Sequence, residues 1–167
     1  MAPWCYVIAL GSNVRHHGHG SPEGVLAAAL LALDANGIRL VSASRLMRSA
    51  PLGPSRRRYA NGAALIETRL DPPELLDALK AIERRFGRTR GGQRWGSRVL
   101  DLDVVLWSGG PWASAGLIVP HPAFRDRTFV LAPALSIAPR WRDPLTGLTL
   151  RQLHSRLTRP RPLPRAR

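Results

Sequence analysis

The residue pattern predicts an α+β fold of the split ferredoxin-like kind, a βαββαβ core whose mostly antiparallel sheet carries helices on one face. Three observations carry this prediction. Apolar segments of strand and helix character alternate in that order along 167 residues. Capping residues open both long helical segments, and 44% apolar residues suffice to fill one core.

The elements follow in order. Tyr6 to Leu10 reads as a first strand ending at Gly11-Ser12-Asn13. A His- and Gly-rich loop, Val14 to Gly20, leads to Ser21-Pro22-Glu23, a helix start with proline at the first helical position. Gly24 to Ala35 is the helix, and Asn36-Gly37 ends it. Ile38 to Met47 and Ala63 to Thr68 read as strands, separated by the turn-rich Ala50-Pro51-Leu52-Gly53-Pro54. Asp71-Pro72-Pro73-Glu74 opens a second helix with Leu75, Leu76, Leu79, Ile82 and Phe86 at helical spacing, and Gly87 stops it. Val99 to Leu106 is the next strand, and Thr128 to Leu131 has the composition of a further short one. A C-terminal addition spans Trp141 to Leu150 and a last helix from Leu150 to Leu157. Residues 1–157 are expected to form a single domain, and the Pro/Arg tail 158–167 to be disordered.

Composition narrows the function. No window approaches the run of about 18 apolar residues that a membrane span needs, and the N-terminal segment has no basic leader. A single cysteine, Cys5, cannot form an internal disulfide and suits a reducing cytoplasm. Lys plus Arg number 25 against 11 acids, a formal net charge of +14, which favours anionic partners such as nucleotide phosphates or nucleic acid. Lys80 is the only lysine.

The chemistry concentrates between Gly87 and Asp103. Asp101 and Asp103 are two apart on a predicted strand, so both carboxylates leave one face. Their attachment points lie about 6–7 Å apart, close enough to converge on one or two Mg²⁺ ions, which favour a few carboxylates with water and phosphate oxygens. Leu100, Leu102 and Val104 point into the core instead. Arg88, Arg90, Arg94 and Arg98 are spread through the glycine-rich stretch immediately before. Guanidinium forks grip phosphate oxygens in pairs, so arginines and carboxylates together make a site for Mg²⁺-polyphosphate. Trp95, in the same stretch, reads as a lid or stacking surface. No Gly-x-x-x-x-Gly-Lys-Ser/Thr loop and no Gly-x-Ser-x-Gly elbow is present. The cluster Arg15-His16-His17-Gly18-His19 lacks a second ligand pair at metal-site spacing.

These residues resemble the 6-hydroxymethyl-7,8-dihydropterin pyrophosphokinase family. Ala9-Leu10-Gly11-Ser12-Asn13, Ala50 to Pro54, Tyr59-Ala60-Asn61, Gly87 to Asp103, Pro120-His121-Pro122 and Arg127 to Leu131 carry the likeness, from about Tyr6 to Leu157. The resemblance implies transfer of the β,γ-diphosphate of ATP to the pterin hydroxymethyl group, releasing AMP, in folate synthesis. It implies that Asp101 and Asp103 hold two Mg²⁺ ions and that Arg88 and Arg98 act on the phosphates with them. Lys80, Glu83, Arg88, Arg90, Arg94, Arg98, Val104 (through its backbone), His121 and Arg127 are then the ATP residues. Ser49, Ala50, Leu52, Tyr59, Asn61, Trp95 and Phe129 are then the pterin residues, Tyr59 and Phe129 sandwiching the ring. The segments Val14 to Gly20, Gly53 to Arg58 and Gly87 to Ser97 are expected to close as lids. Ser97 stands where the family usually has proline, and Gly116 and Ile118 offer no polar side chain to ATP. The expected partners are the two small-molecule substrates, with no nucleic acid and no membrane, and the expected state is a cytoplasmic monomer. Two other readings are an inactive paralogue that binds nucleotide or pterin or serves assembly, and a basic nucleic-acid-binding module. The latter calls for aromatics spread over a sheet face, whereas here they cluster with paired acids.

Overall fold

The computed structural model describes residues 2–49, 58–87 and 99–160. A five-stranded antiparallel sheet forms the centre. Strand β1 (Trp4–Ser12) lies between β4 (Tyr59–Thr68) and the edge strand β5 (Asp101–Trp107), and β2 (Arg39–Ala43) and β3 (Met47–Ser49) pair in turn with β4. Helices α1 (Pro22–Ala35) and α2 (Pro72–Arg85) return the chain between strands. The strand order β2-β4-β1-β5 is that of the predicted split ferredoxin-like core.

Local chemistry explains where the helices start. Ser21 caps α1, accepting the Gly24 amide at 3.3 Å, with Pro22 at the first position. Asp71 and Glu74 form a reciprocal capping box on α2, each bond 2.9 Å long. Leu75, Leu79 and Ile82 recur on one face of α2 and are fully buried against the sheet, each contributing about 1.5–3 kcal/mol over an exposed side chain.

Three expectations are corrected. Ile38 to Met47 is not one strand. Val41 falls in a register shift, and Ser44 then replaces regular pairing, its amide donating to the Ala63 carbonyl while its Oγ accepts the Ala63 amide, both at 2.9 Å. This turns the chain into β3, and β4 begins at Tyr59 to meet it. Thr128 to Leu131 is not a strand but the first turn of α3 (Thr128–Ile137), which contains Pro133. Its Thr-Phe-Val-Leu composition favours a strand, yet Val130, Leu131, Pro133 and Ala134 are buried, and packing overrides propensity. The helices are also not confined to one face. Tyr6, Ile8 and Leu10 of β1 point to α1 and α2, whereas Val7 points to α3 and α4 (Leu150–Thr158) on the opposite face.

A hairpin not legible in the pattern, β6 (Trp112–Ser114) and β7 (Leu117–Val119), turns at Gly116, whose φ of 78° is left-handed. The His-rich loop is closed by reciprocal backbone bonds of 2.8 Å between His16 and Gly20. Its His19 stacks on Phe86 at 4.8 Å. Residues 161–167, and with them most of the tail expected to be disordered, lie outside the described residues.

Candidate active site

The β1 register builds the floor of the site. Asn61 on β4, Gly11 on β1 and Asp101 on β5 form one row across three strands, and Ala63, Ala9 and Asp103 form the next. Strand alternation turns these side chains to the α3 face, on which Val7, Ala63 and Val105 are buried. Two strand spacings separate Asn61 from Asp101, roughly 10 Å. Between them Gly11 has no side chain: a Cβ there would lie 3.7 Å from the Asn61 Oδ1 and 4.0 Å from the Asp101 Cβ. With no side chain at Gly11, the Asn61 amide and the Asp101 side chain both border the same glycine.

Asp101 and Asp103 are half-buried on that floor while Leu100, Leu102 and Val104 are buried in the core behind. Asn61 is 5% exposed, and its Nδ2 donates to the Ser49 Oγ at 2.7 Å. The bond fixes the amide's orientation, leaving its Oδ1 toward Gly11. Tyr59, first in β4, stands two residues before Asn61 and opposite Ser49. Phe129 is the second residue of α3, half-buried, with the Arg127 guanidinium 5.8 Å from its ring centre.

The outer side of β5 is a second wall. Edge residues Leu102 and Val104 turn their backbone groups away from β1, because the Leu102 amide donates to the Glu83 Oε1 at 2.7 Å. The His121 amide donates to the Val105 carbonyl at 3.0 Å, bringing the loop after β7 against the strand. A cleft of about 320 Å³ opens here, lined by Leu76, Asp103, Val104, Gly116, Ile118 and His121 among others. Its size is at the lower end of small-molecule sites. His121 Nδ1 accepts the Ala123 amide at 3.2 Å, so in the neutral ring Nε2 carries the proton. Burial and the Arg127 charge lower the His121 pKa, while Asp101 and a backbone hydrogen bond oppose them.

Strand pairing thus connects Ser49, Tyr59 and Asn61 with Asp101 and Asp103. His121 lies within electrostatic reach of Asp101 and Arg127, and Phe129 neighbours Arg127. Lys80 is exposed on α2, one turn beyond Leu76 of the cleft. Glu83 is 2% exposed, its carboxylate turned to the back of β5 and not among the cleft's lining. Ala50, Leu52, Arg88, Arg90, Arg94, Trp95 and Arg98 lie outside the described residues, as do most of the two lid segments they belong to. The hairpin wall at Ser114 and Leu117 is too short for a strand pattern, and its mark in the sequence is Gly116, the left-handed turn residue.

Fold and site define an α+β domain that sets paired carboxylates beside a small cleft on the sheet edge. The comparisons with known proteins are specific. Residues 7–139 match the family described as 7,8-dihydro-6-hydroxymethylpterin-pyrophosphokinase. The 2-amino-4-hydroxy-6-hydroxymethyldihydropteridine pyrophosphokinase of a Synechocystis strain is 40% identical over 147 residues, covering 88% of this chain and 73% of the relative. The protein of the same name from Pseudomonas aeruginosa is 43% identical, covering 82% of each chain. A folate synthesis bifunctional protein of Arabidopsis thaliana is 38% identical over 78% of this chain, which spans only 26% of that longer protein. Among solved structures, an HPPK-DHPS crystal structure in complex with substrates superposes with a TM-score of 0.70 over 93% of this chain and 43% of the other. At 11% identity that likeness shows the fold alone. The chain belongs to the 7,8-dihydro-6-hydroxymethylpterin-pyrophosphokinase family.

Proposed function

We propose that this chain transfers the terminal diphosphate of ATP to the hydroxymethyl oxygen of 6-hydroxymethyl-7,8-dihydropterin, with AMP leaving. The observation that carries the reading is the row Asn61–Gly11–Asp101, which sets an amide able to read a pterin edge two strands from a carboxylate, with only a glycine between them. Asn61 presents donor and acceptor on one group. Tyr59 and Phe129 offer aromatic faces to the flat ring, and Ser49 holds the Asn61 amide in place.

On the nucleotide side, the Val104 side chain is core, so only its backbone N–H and C=O face the cleft, a pair suited to an adenine edge. His121 Nε2–H and the Arg127 guanidinium, at the N-terminus of α3, offer charge and donors to phosphate oxygens. Lys80, with Arg88, Arg90, Arg94 and Arg98, completes the cationic side, Arg88 and Arg98 acting at the transferred group. Ala50, Leu52 and Trp95 complete the pterin side.

The donor chemistry fits Mg²⁺. Asp101 and Asp103 share a strand face, and among the described residues no group of three or more His, Cys, Asp or Glu could hold a metal. Two hard carboxylates with water and phosphate oxygens for the rest is the set Mg²⁺ prefers. Bound there, two such ions would supply charge neutralisation for the polyphosphate. The protein's own share is orientation: it holds hydroxyl and diphosphate in line and keeps cationic side chains around the developing charge. We assign the activity to a monomer in the cytoplasm. Among the described residues no helix is long and apolar enough to cross a membrane.

Purified protein with ATP, Mg²⁺ and the pterin tests the reading by chromatography of the nucleotides. Stoichiometric AMP that requires both Mg²⁺ and pterin is expected. ADP, or no product from folded protein, overturns it.

A further inference from the structure

The proposed function assigns Asp101 and Asp103 to the metal, while Glu83, expected on the ATP side, bonds the strand that carries them. Glu83 is a carboxylate near the end of α2 and only 2% exposed. A buried carboxylate is costly unless hydrogen bonds compensate it, so each bond it makes bears on its role. One of them comes from the amide of Leu102, 2.7 Å from Oε1. This amide belongs to the peptide joining Asp101 to Leu102, midway between the two proposed metal ligands.

Geometry gives the bond its consequence. β5 is the sheet's edge strand, so only its inner side has a neighbouring strand, β1. Antiparallel alternation turns the backbone groups of Asp101 and Asp103 inward to Gly11 and Ala9, and that of Leu102 outward. β1 holds this peptide only at the Asp101 carbonyl, so the tilt of the peptide, and with it the Asp101 Cα–Cβ direction, depends on what the Leu102 N–H meets on the outer side. A bond from a buried carboxylate is among the stronger kinds available to an amide. The Leu102 side chain is 2% exposed in the core, which pins the same residue from the other direction.

We propose that Glu83 is a positioning residue for the metal-binding carboxylates: it holds the Asp101–Leu102 peptide from behind β5 and so sets the aim of Asp101 and Asp103. This inference rests on the assignment of those two aspartates above, and it gives Glu83 a place behind the strand in addition to any contact with nucleotide. Outer partners that orient metal ligands typically cost about 10–100-fold in metal affinity when removed.

Two variants separate position from charge. Glu83→Met keeps bulk and removes the acceptor, whereas Glu83→Gln keeps an acceptor oxygen and removes the charge. The probe is Mn²⁺ with a non-hydrolysable ATP analogue, the free-ion signal followed by electron paramagnetic resonance, alongside hydrogen exchange of the Leu102 amide. Glu83→Met is expected to weaken Mn²⁺ binding by about tenfold or more and to deprotect Leu102, while pterin affinity measured without metal stays within about twofold. Glu83→Gln is expected to restore Leu102 protection and bring Mn²⁺ binding to within about threefold of the unaltered chain. Folded Glu83→Met with unaltered Mn²⁺ binding overturns the proposal. Should that variant fail to fold, Glu83→Gln decides: protected Leu102 with about tenfold weaker Mn²⁺ binding assigns the effect to charge and overturns positioning. If the unaltered chain binds Mn²⁺-nucleotide yet forms no AMP, the proposed activity fails while the positioning result still stands on its own readouts.

Discussion

The two faces of the sheet are built on different principles. The face under α1 and α2 is apolar and periodic: Tyr6, Ile8 and Leu10 of β1 meet Val25, Leu26, Ala29 and Leu33 of α1 and Leu75, Leu79 and Ile82 of α2. The face under α3 and α4 is apolar only at its centre, around Val7, Val105, Val130 and Leu131. Toward one end it gives way to Asn61, Gly11, Asp101 and Asp103. Its surrounding loops are tied by polar contacts, above all Asp143, fully buried, which takes two bonds from Arg125 at 2.7 and 2.8 Å and one from Thr146 at 2.6 Å. One face draws its stability from apolar burial, and the other gives up part of that burial for a site and relies more on polar ties. Local stability rules hold where nothing must bind and are relaxed where something must.

The sharpest way to break this contrast is a pair of variants, one per face. Asp103→Ala is expected to lower AMP formation by about a thousandfold, about 4 kcal/mol, with a thermal midpoint unchanged or raised. Leu79→Ala on the other face is expected to cost about 2–5 kcal/mol of stability, read by denaturant unfolding, with KM for both substrates unchanged in folded protein. A large stability loss in the first variant, or a KM change in the second, would erase the division.

Asp143→Ala sharpens the contrast on the second face. Breaking a buried ion pair typically costs about 3–5 kcal/mol, and calorimetry should show that loss although no apolar group is removed. Burial alone would raise the Asp143 pKa, but Arg125, Thr146 and the Leu145 amide outweigh it and hold the carboxyl below its ordinary 3.8. Its contribution is therefore complete above that value and lost as pH falls through the lower folded one. Acid unfolding should begin at higher pH in a variant lacking Arg125.

The smallest effect concerns His121. Its lowered pKa means its neutral form stabilises the folded chain above about pH 6.5, and the contribution is lost as pH falls through the folded value. Nucleotide phosphates should reverse the shift. The ring-proton titration followed by NMR is expected to move to higher pH when the ATP analogue binds. No movement would place the phosphates elsewhere.

What was legible in the sequence follows the same division. The first face is periodic, so α1, α2 and their caps at Ser21 and Asp71 could be read directly. Asp101 and Asp103 could be read because strand alternation needs no tertiary information. Helix α3 could not, since its strand-like residues are made helical by burial on both sides. Nor could the break at Ser44, which depends on one hydroxyl reaching the Ala63 amide, or the hold of Glu83 on Leu102, nineteen residues along the chain. Helical spacing places Ile82 and Phe86 on the core side of α2, but nothing in that spacing says that Glu83 is buried with them. Those features exist only once non-local contacts form.

The central claim is that metal and phosphate gather on the second face, at Asp101 and Asp103. Paramagnetic broadening by Mn²⁺ with the non-hydrolysable ATP analogue, mapped on backbone amides, tests it most directly. Loss of signal centred on Ala9, Gly11, Asp101, Asp103 and His121, with α1 and the His16–His19 loop unaffected, is the predicted result. Broadening centred on that loop, or spread over α1 and α2, would contradict it.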